Sequence, residues 1–229
     1  MNHEADRSGL IVIWNDILPE SRENFLEWHS REHIPERVSI PGFLRGQRWF
    51  GESSGPQYLT IYSTADTSVL TSAAYLSRLN SPTPWTQRSV ADFRNTSRAA
   101  GSLVWRSSDA TGGVILTARF EMAPDRALAL ARQWAGGPLA SLAQRPGIAR
   151  VRVAVSAAST SQLQTAERAV RSGDIKEPSL IVLVEGYGDV DSVQRAYDSV
   201  DLSGHDGARE RLDCYQLQFD LSSPHSAVQ

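Results

Sequence analysis

Apolar residues fall along this chain in short runs, separated by turns that proline and glycine mark. Residues 10–14 (LIVIW) form an apolar, β-branched run of the kind that makes a buried strand. Residues 19–34 carry helical spacing, with Pro19 in the first turn and Pro35 biasing Ile34 out of helical space. Pro41-Gly42 is a turn, residues 43–50 a strand, and residues 58–62 (YLTIY) alternate as a strand should. Residues 68–79 predict a second helix. The segment 80–86 (NSPTPWT) is expected to be a loop, because it holds Pro82 and Pro84, and residues 98–106 a fourth strand. The order is β-α-β-β-α-β, a ferredoxin-like unit.

The same order then recurs. Residues 114–122 predict a strand, 125–144 a helix interrupted at Gly136-Gly137-Pro138, 148–155 and 180–185 strands, 190–200 a helix and 212–221 a final strand. PGFLRGQRWF at Pro41 aligns with PGIARVRVAV at Pro146, an offset of 105 residues that also sets Ile11 beside Leu116. A duplication explains these matches. It divides the chain into a first unit, residues 1–109, and a second, residues 110–229. The Ser/Thr/Gln-rich stretch at 156–178 interrupts the second unit; it is expected to be an exposed loop with a short helix at 162–171. A four-stranded sheet with helices on one face leaves its other face bare, and two such sheets cover each other. The expected fold is therefore α+β, with two tandem ferredoxin-like units packed sheet to sheet as an α+β barrel.

Composition narrows the function classes. The net charge is −3, with 23 basic against 26 acidic side chains, which gives no basic surface for nucleic acid or anionic membrane. No apolar run approaches the roughly 20 residues that span a bilayer. The single cysteine, Cys214, excludes an internal disulfide framework and suits a reducing compartment, so a cytoplasmic location is expected. Without a neighbouring histidine that thiol is expected to be inert. There is no P-loop, no G-x-G-x-x-G and no G-x-S-x-G.

The first helix breaks the usual pattern. Phe25, Leu26 and Trp28 lie on one broad face, and His29, Glu32 and His33 fall within it. A core-facing stripe is normally apolar. Burying two imidazoles and a carboxylate unpartnered costs several kcal/mol, roughly, so a pocket is the natural explanation. His29-Ser-Arg-Glu32-His33 also fits H-x-x-E-H, an inverted zinc-peptidase pattern, but the motif is short. A metal-free reading makes His33 a general acid/base near neutral pH, tuned by Glu32, Glu36 or His29. Arg37, Arg45 and Arg48 follow closely; they suit either anion binding or salt bridges to the glutamates. By strand alternation Phe43, Arg45, Gln47 and Trp49 share one face, and Leu44, Gly46, Arg48 and Phe50 the other. Tyr58, Thr60 and Tyr62 share a face of the next strand. At the offset of 105, Trp134 stands against His29, Gly137 against Glu32 and Pro138 against His33, so one unit is expected to work and the other to be structural.

At Trp28, Glu32, His33, Pro35, Pro41-Gly42-Phe43 and Arg48 the chain resembles the EthD-like members of the dimeric α+β-barrel superfamily. YLTIY at Tyr58 and NSPTPW at Asn80 are similar to one subset, and the resemblance covers about residues 10–106. It implies ferredoxin-like units paired through their sheets and a pocket between sheet and helices, where His33 would point. Activities in that superfamily include cofactor-free monooxygenation of aromatic polyketides, polyketide cyclisation, lactone isomerisation and haem chemistry. Haem-binding members also occur as tandem repeats with one active half.

The sequence-level expectation is a cofactor-independent lyase or isomerase acting on a small aromatic or carbonyl-bearing substrate. His33, His29, Glu32, Arg48 and Tyr58 are its expected catalytic residues. Trp28, Glu36, Trp49, Tyr62, Asn80 and Trp85 are the expected substrate-binding ones, Trp85 as a lid. No metal, nucleic-acid or membrane partner is expected, and a homodimer is compatible with the pattern. The alternative is a non-catalytic small-molecule binding or stress-response protein, and behind it stand a cofactor-free monooxygenase, a haem protein and an H-x-x-E-H zinc hydrolase.

Overall fold

The computed structural model describes residues 8–52, 55–157, 165–170, 177–205 and 209–224. Eight strands form a closed antiparallel barrel: β1 (Gly9–Ile17), β2 (Phe43–Phe50), β3 (Tyr58–Thr64), β4 (Phe93–Arg106), β5 (Val114–Glu121), β6 (Ile148–Ser156), β7 (Leu180–Gly186) and β8 (Arg209–Ser222). Their order around the barrel is β1-β3-β2-β8-β5-β7-β6-β4. The first four strands make the order β4-β1-β3-β2 and the last four repeat it as β8-β5-β7-β6, so the tandem ferredoxin-like α+β barrel is what forms. The two sheets join edge to edge through β2–β8 and β4–β6. Closure leaves no sheet edge unpaired, which removes the sites where sheets aggregate.

Strand alternation sorts the side chains into a lumen and two outer layers. Leu10, Val12, Trp14, Trp49, Leu59, Ile61, Ile181 and Leu183 fill the lumen. Ile11, Ile13, Tyr58 and Tyr62 face outward beneath the first half's helices. Val114, Leu116, Ala118 and Phe120 do the same beneath the second half's. Each large apolar side chain so buried contributes roughly 1.5–3 kcal/mol.

The offset of 105 holds through the helices as well as the strands. Helix α5 (Pro124–Ala135) and α6 (Pro138–Leu142) stand where the first helix stands in the first half. The Pro-Gly turns match in conformation, with Gly42 at φ +89° and Gly147 at φ +87°, a region that only glycine enters readily. The bulge between Phe43 and Arg45 recurs between Ile148 and Arg150.

Three helical expectations are corrected. Pro35 does not end the first helix. That helix runs as α1 (Arg22–Trp28), a π-turn (His29–His33) and α2 (Ile34–Val38), with Pro35 in the opening turn of α2. The Ile34 N–H donates to the His29 carbonyl five residues back, and this wider ladder accommodates a residue that has no N–H to give. The second helix is broken: a 3₁₀ turn (Thr67–Thr71) precedes Ser72, whose hydroxyl accepts from the Tyr75 N–H and starts α3 (Ala73–Asn80). The proline-rich segment is no loop. Pro84 opens helix α4 (Pro84–Ala91), and the Thr83 hydroxyl caps it by accepting from the Thr86 N–H at 3.0 Å. Of the short helix expected at 162–171, Ala166–Val170 is present as α7, and the rest lies outside the described residues.

Candidate functional site

The layer between the first helix and the outer face of β2 and β3 collects most of the polar groups singled out from sequence. Gly46 brings helix and sheet close: a Cβ there would stand 2.8 Å from Ile34 Cγ2 and 2.9 Å from Tyr62 Cε1. Strand β2 directs Gly46, Arg48 and Phe50 into this layer, and β3 directs Tyr58, Thr60 and Tyr62.

His29 and His33 come from the π-turn and both are buried. A π-bulge turns consecutive side chains toward one side more than an α-helix does and recurs at functional sites. The imidazoles stack with ring centroids 5.5 Å apart. His29 also stacks on Phe25 at 4.9 Å, and His33 lies 4.4 Å from the Trp28 ring and 6.5 Å from Tyr62. Arg48 is anchored from three directions. Its Nε donates to Gln218 Oε1 at 3.0 Å, and its Nη1 donates to Ser30 Oγ at 3.0 Å and to the Leu26 carbonyl at 3.4 Å. The same Nη1 lies 3.5 Å from His29 Nδ1. Burial pulls the Arg48 guanidinium below its ordinary range, and the neighbouring Tyr58 and Tyr62 oxygens oppose that pull. Tyr58 is fully buried with its ring 4.6 Å from Phe25. Its hydroxyl has no hydrogen-bond partner among the described residues.

The other expected residues lie at the margins or elsewhere. Glu32 turns away from the imidazoles and accepts from Thr83 Oγ1 at 2.5 Å and Thr86 Oγ1 at 3.2 Å. Thr86 in turn accepts from Trp28 Nε1 at 3.1 Å, so Glu32 fixes the indole through α4. Glu36 pairs with Arg37 at 3.1 Å and Arg78 at 3.5 Å, and burial raises its pKa above the ordinary carboxylate range. Trp85 sits in α4, donating from Nε1 to Asn24 Oδ1 at 2.8 Å, and is a helical residue at the layer's edge, not a loop lid. Asn80 is exposed at the end of α3 and accepts from the Ala166 N–H at 3.3 Å. Trp49 is a correction. It points into the barrel lumen, because alternation puts it on the face opposite Arg48. Arg45 likewise serves the barrel mouth, where it pairs with Asp220. Cys214 lies under helix α8 (Val190–Asp198) with its thiol 3.7 Å from Gln194 Oε1, and burial pushes its pKa up to about 11.

Three residues escaped the sequence reading. Gln218 reaches Arg48 from β8, and no local pattern marks a long-range partner of this kind. Glu167 of α7 pairs with buried Arg37, bringing the connector of the second half onto α3 and α4 of the first. Thr86 was within reach, since Thr83 before Pro84 is a helix-start signal that places Thr86 one turn in.

The zinc-peptidase reading loses its carboxylate to the threonines of α4, and among the described residues no group of three or more His, Cys, Asp or Glu side chains could hold a metal.

No family model matches the chain, and no curated protein matches it. Solved structures do. An anthrone oxidase-like protein superposes with a TM-score of 0.66 at 13% identity, covering 99% of this chain and 98% of that one. A candidate monooxygenase from Lactobacillus acidophilus NCFM gives 0.53 at 10% identity, over 95% of this chain and 97% of its own. A candidate chlorite dismutase gives 0.51 at 13%, over 93% and 95%. At these identities the likeness establishes the fold, the ferredoxin-like α+β barrel. The expected lyase or isomerase activity is overturned: these neighbours carry the names of oxidases, monooxygenases and a dismutase of chlorite, which is oxygen chemistry. None of the three is described as EthD-like.

Among the described residues no helix is long and apolar enough to cross a membrane.

Proposed function

We propose that this protein is an oxidoreductase that reacts dioxygen with a small phenolic or polycyclic aromatic substrate of the anthrone type, and that its first half carries the site. The relation to EthD-like proteins and a cytoplasmic location belong to the same reading. The observation that carries it is Tyr58, a buried phenol whose hydroxyl lacks a partner in the layer that also holds Arg48 and two imidazoles. An unmade hydrogen bond at a buried hydroxyl costs about 1–3 kcal/mol, so the group is positioned for something that arrives.

An anthrone has a methylene flanked by two aryl rings and a carbonyl across the central ring. Removing a methylene proton gives an anion whose charge rests on the carbonyl oxygen. His33 accepts that proton, and Arg48 with Tyr58 faces the oxygen where charge develops. His29 lies beside Arg48 at the same oxygen. Trp28 and Tyr62 flank the rings. The overall reaction balances with no further reductant: the methylene carbon takes one oxygen atom from dioxygen to become a carbonyl, and the second oxygen leaves as water with the two methylene hydrogens.

The test is oxygen uptake with a hydroxylated anthrone, measured against the rate in buffer, with ¹⁸O₂ to follow the atom into the quinone. One dioxygen consumed per quinone is expected. His33→Ala should lower kcat by about 10²- to 10⁴-fold. Tyr58→Phe should lower it by about tenfold, on the order of one hydrogen bond. Uptake no faster than buffer, with saturable quenching of tryptophan fluorescence by the anthrone, would mark a binding protein instead. Full turnover in His33→Ala removes the mechanism.

A further inference from the structure

The barrel lumen holds a second polar cluster, far from the helices, which the reaction above does not use. At one mouth Arg45 pairs with Asp220 through two nitrogens and donates from Nη1 to Thr111 Oγ1 at 2.8 Å. Deeper in, Glu185 is fully buried and its Oε1 accepts from Arg150 Nε at 2.9 Å, Arg150 Nη2 at 2.6 Å and Arg152 Nη2 at 2.8 Å. Its Oε2 accepts the Gly112 N–H at 3.2 Å. Arg45 pairs with Asp220, while Arg150 and Arg152 share Glu185, so these three buried groups carry one positive charge in excess.

The duplication explains how this arose. At the offset of 105, Arg45 corresponds to Arg150 and Gln47 to Arg152. Strands β2 and β6 stand four places apart in a ring of eight, so each pair faces across the lumen. One half keeps a neutral amide where the other has a guanidinium. The orphaned groups here are donors: Arg152 Nε and, on the opposite wall, Gln47 Nε2 and Trp49 Nε1, all buried and without partners among the described residues. The excess positive charge on Arg150 and Arg152 and the three unpartnered donors would both be relieved by an acceptor. The surroundings agree in direction. Burial lowers the Arg152 pKa to about 10, Glu185 only partly offsets this, and Arg150 and Arg45 push the same way as burial.

We infer that the lumen is an anion-binding site, in which Arg152, Gln47 and Trp49 hold a small carboxylate or oxyanion that enters beside Arg45. The site is independent of the proposed oxidation. The experiment is isothermal titration of the whole protein with sodium acetate and with sodium phosphate at fixed ionic strength. Saturable one-to-one binding of at least one of them is expected, weakened at least tenfold in Arg152→Gln, which copies the other half and leaves Glu185 its Arg150 partner. Gln47→Leu attacks the site from the opposite wall and should weaken binding at least threefold, which covers the case of an Arg152→Gln protein that does not fold. Heats that never saturate with either anion overturn the inference, as does equal affinity in wild type and in every variant that folds.

Discussion

The two helical layers share a backbone and differ in what they bury. Over the first sheet the π-turn and α2 bury His29, His33 and Arg37, and β2 buries Arg48. Over the second, the corresponding positions are Trp134, Pro138, Leu142 and Val153, of which Trp134, Leu142 and Val153 pack in an ordinary apolar core. Trp134 fills its space against Phe120 at 5.2 Å, and its Nε1 donates to the Ser203 carbonyl at 3.0 Å. Gly46 becomes Val151, so the second helix pair rides over a β-branched side chain where the first comes down onto bare backbone. The barrel thus closes over an apolar layer in one half and a polar layer in the other, and the polar layer is the one that the proposed reaction would use.

Three substitutions would break or sharpen that contrast. The largest effect is expected at Arg37. Replacing it with Met removes the buried guanidinium that Glu36 and Glu167 share, and stability should fall by about 3–5 kcal/mol in urea unfolding. A loss below 1 kcal/mol would mean that the polar layer is as dispensable as its apolar counterpart suggests. Next is Gly46→Val, which installs the second half's residue. It meets Ile34 and Tyr62 inside van der Waals distance, so a loss of about 1–3 kcal/mol is expected, with weaker substrate binding as the helix lifts. Unchanged stability would show that the helix has room to move. The smallest is Thr86→Val, which keeps the shape but strands the Trp28 indole N–H, at about 1–2 kcal/mol. Trp134, at the position that matches His29, donates to a backbone carbonyl instead, so the second half's indole offers no hydroxyl partner of this kind to delete.

Much of the fold was readable because it rests on local signals. Strand β2 begins and ends where alternation and the Pro-Gly turn say it should, and the offset of 105 needed only two short matching stretches. The prolines misled. Pro35 and Pro84 both stand in opening turns of helices, where a missing N–H is harmless, and local reasoning treated them as terminators. The site was half legible. The misplaced polar stripe on the first helix pointed to His29 and His33, but helical angle alone put Glu32 with them. Only α4, itself missed, explains why that carboxylate turns to Thr83 and Thr86. Trp49 was an avoidable error, since the alternation that places Arg48 outside places Trp49 inside.

Gln218 holds the guanidinium of Arg48, yet it belongs to the strand that closes the barrel. The two residues lie 170 positions apart, so Arg48 gains this partner only when β8 pairs with β2, the same pairing that covers the open edge of β2.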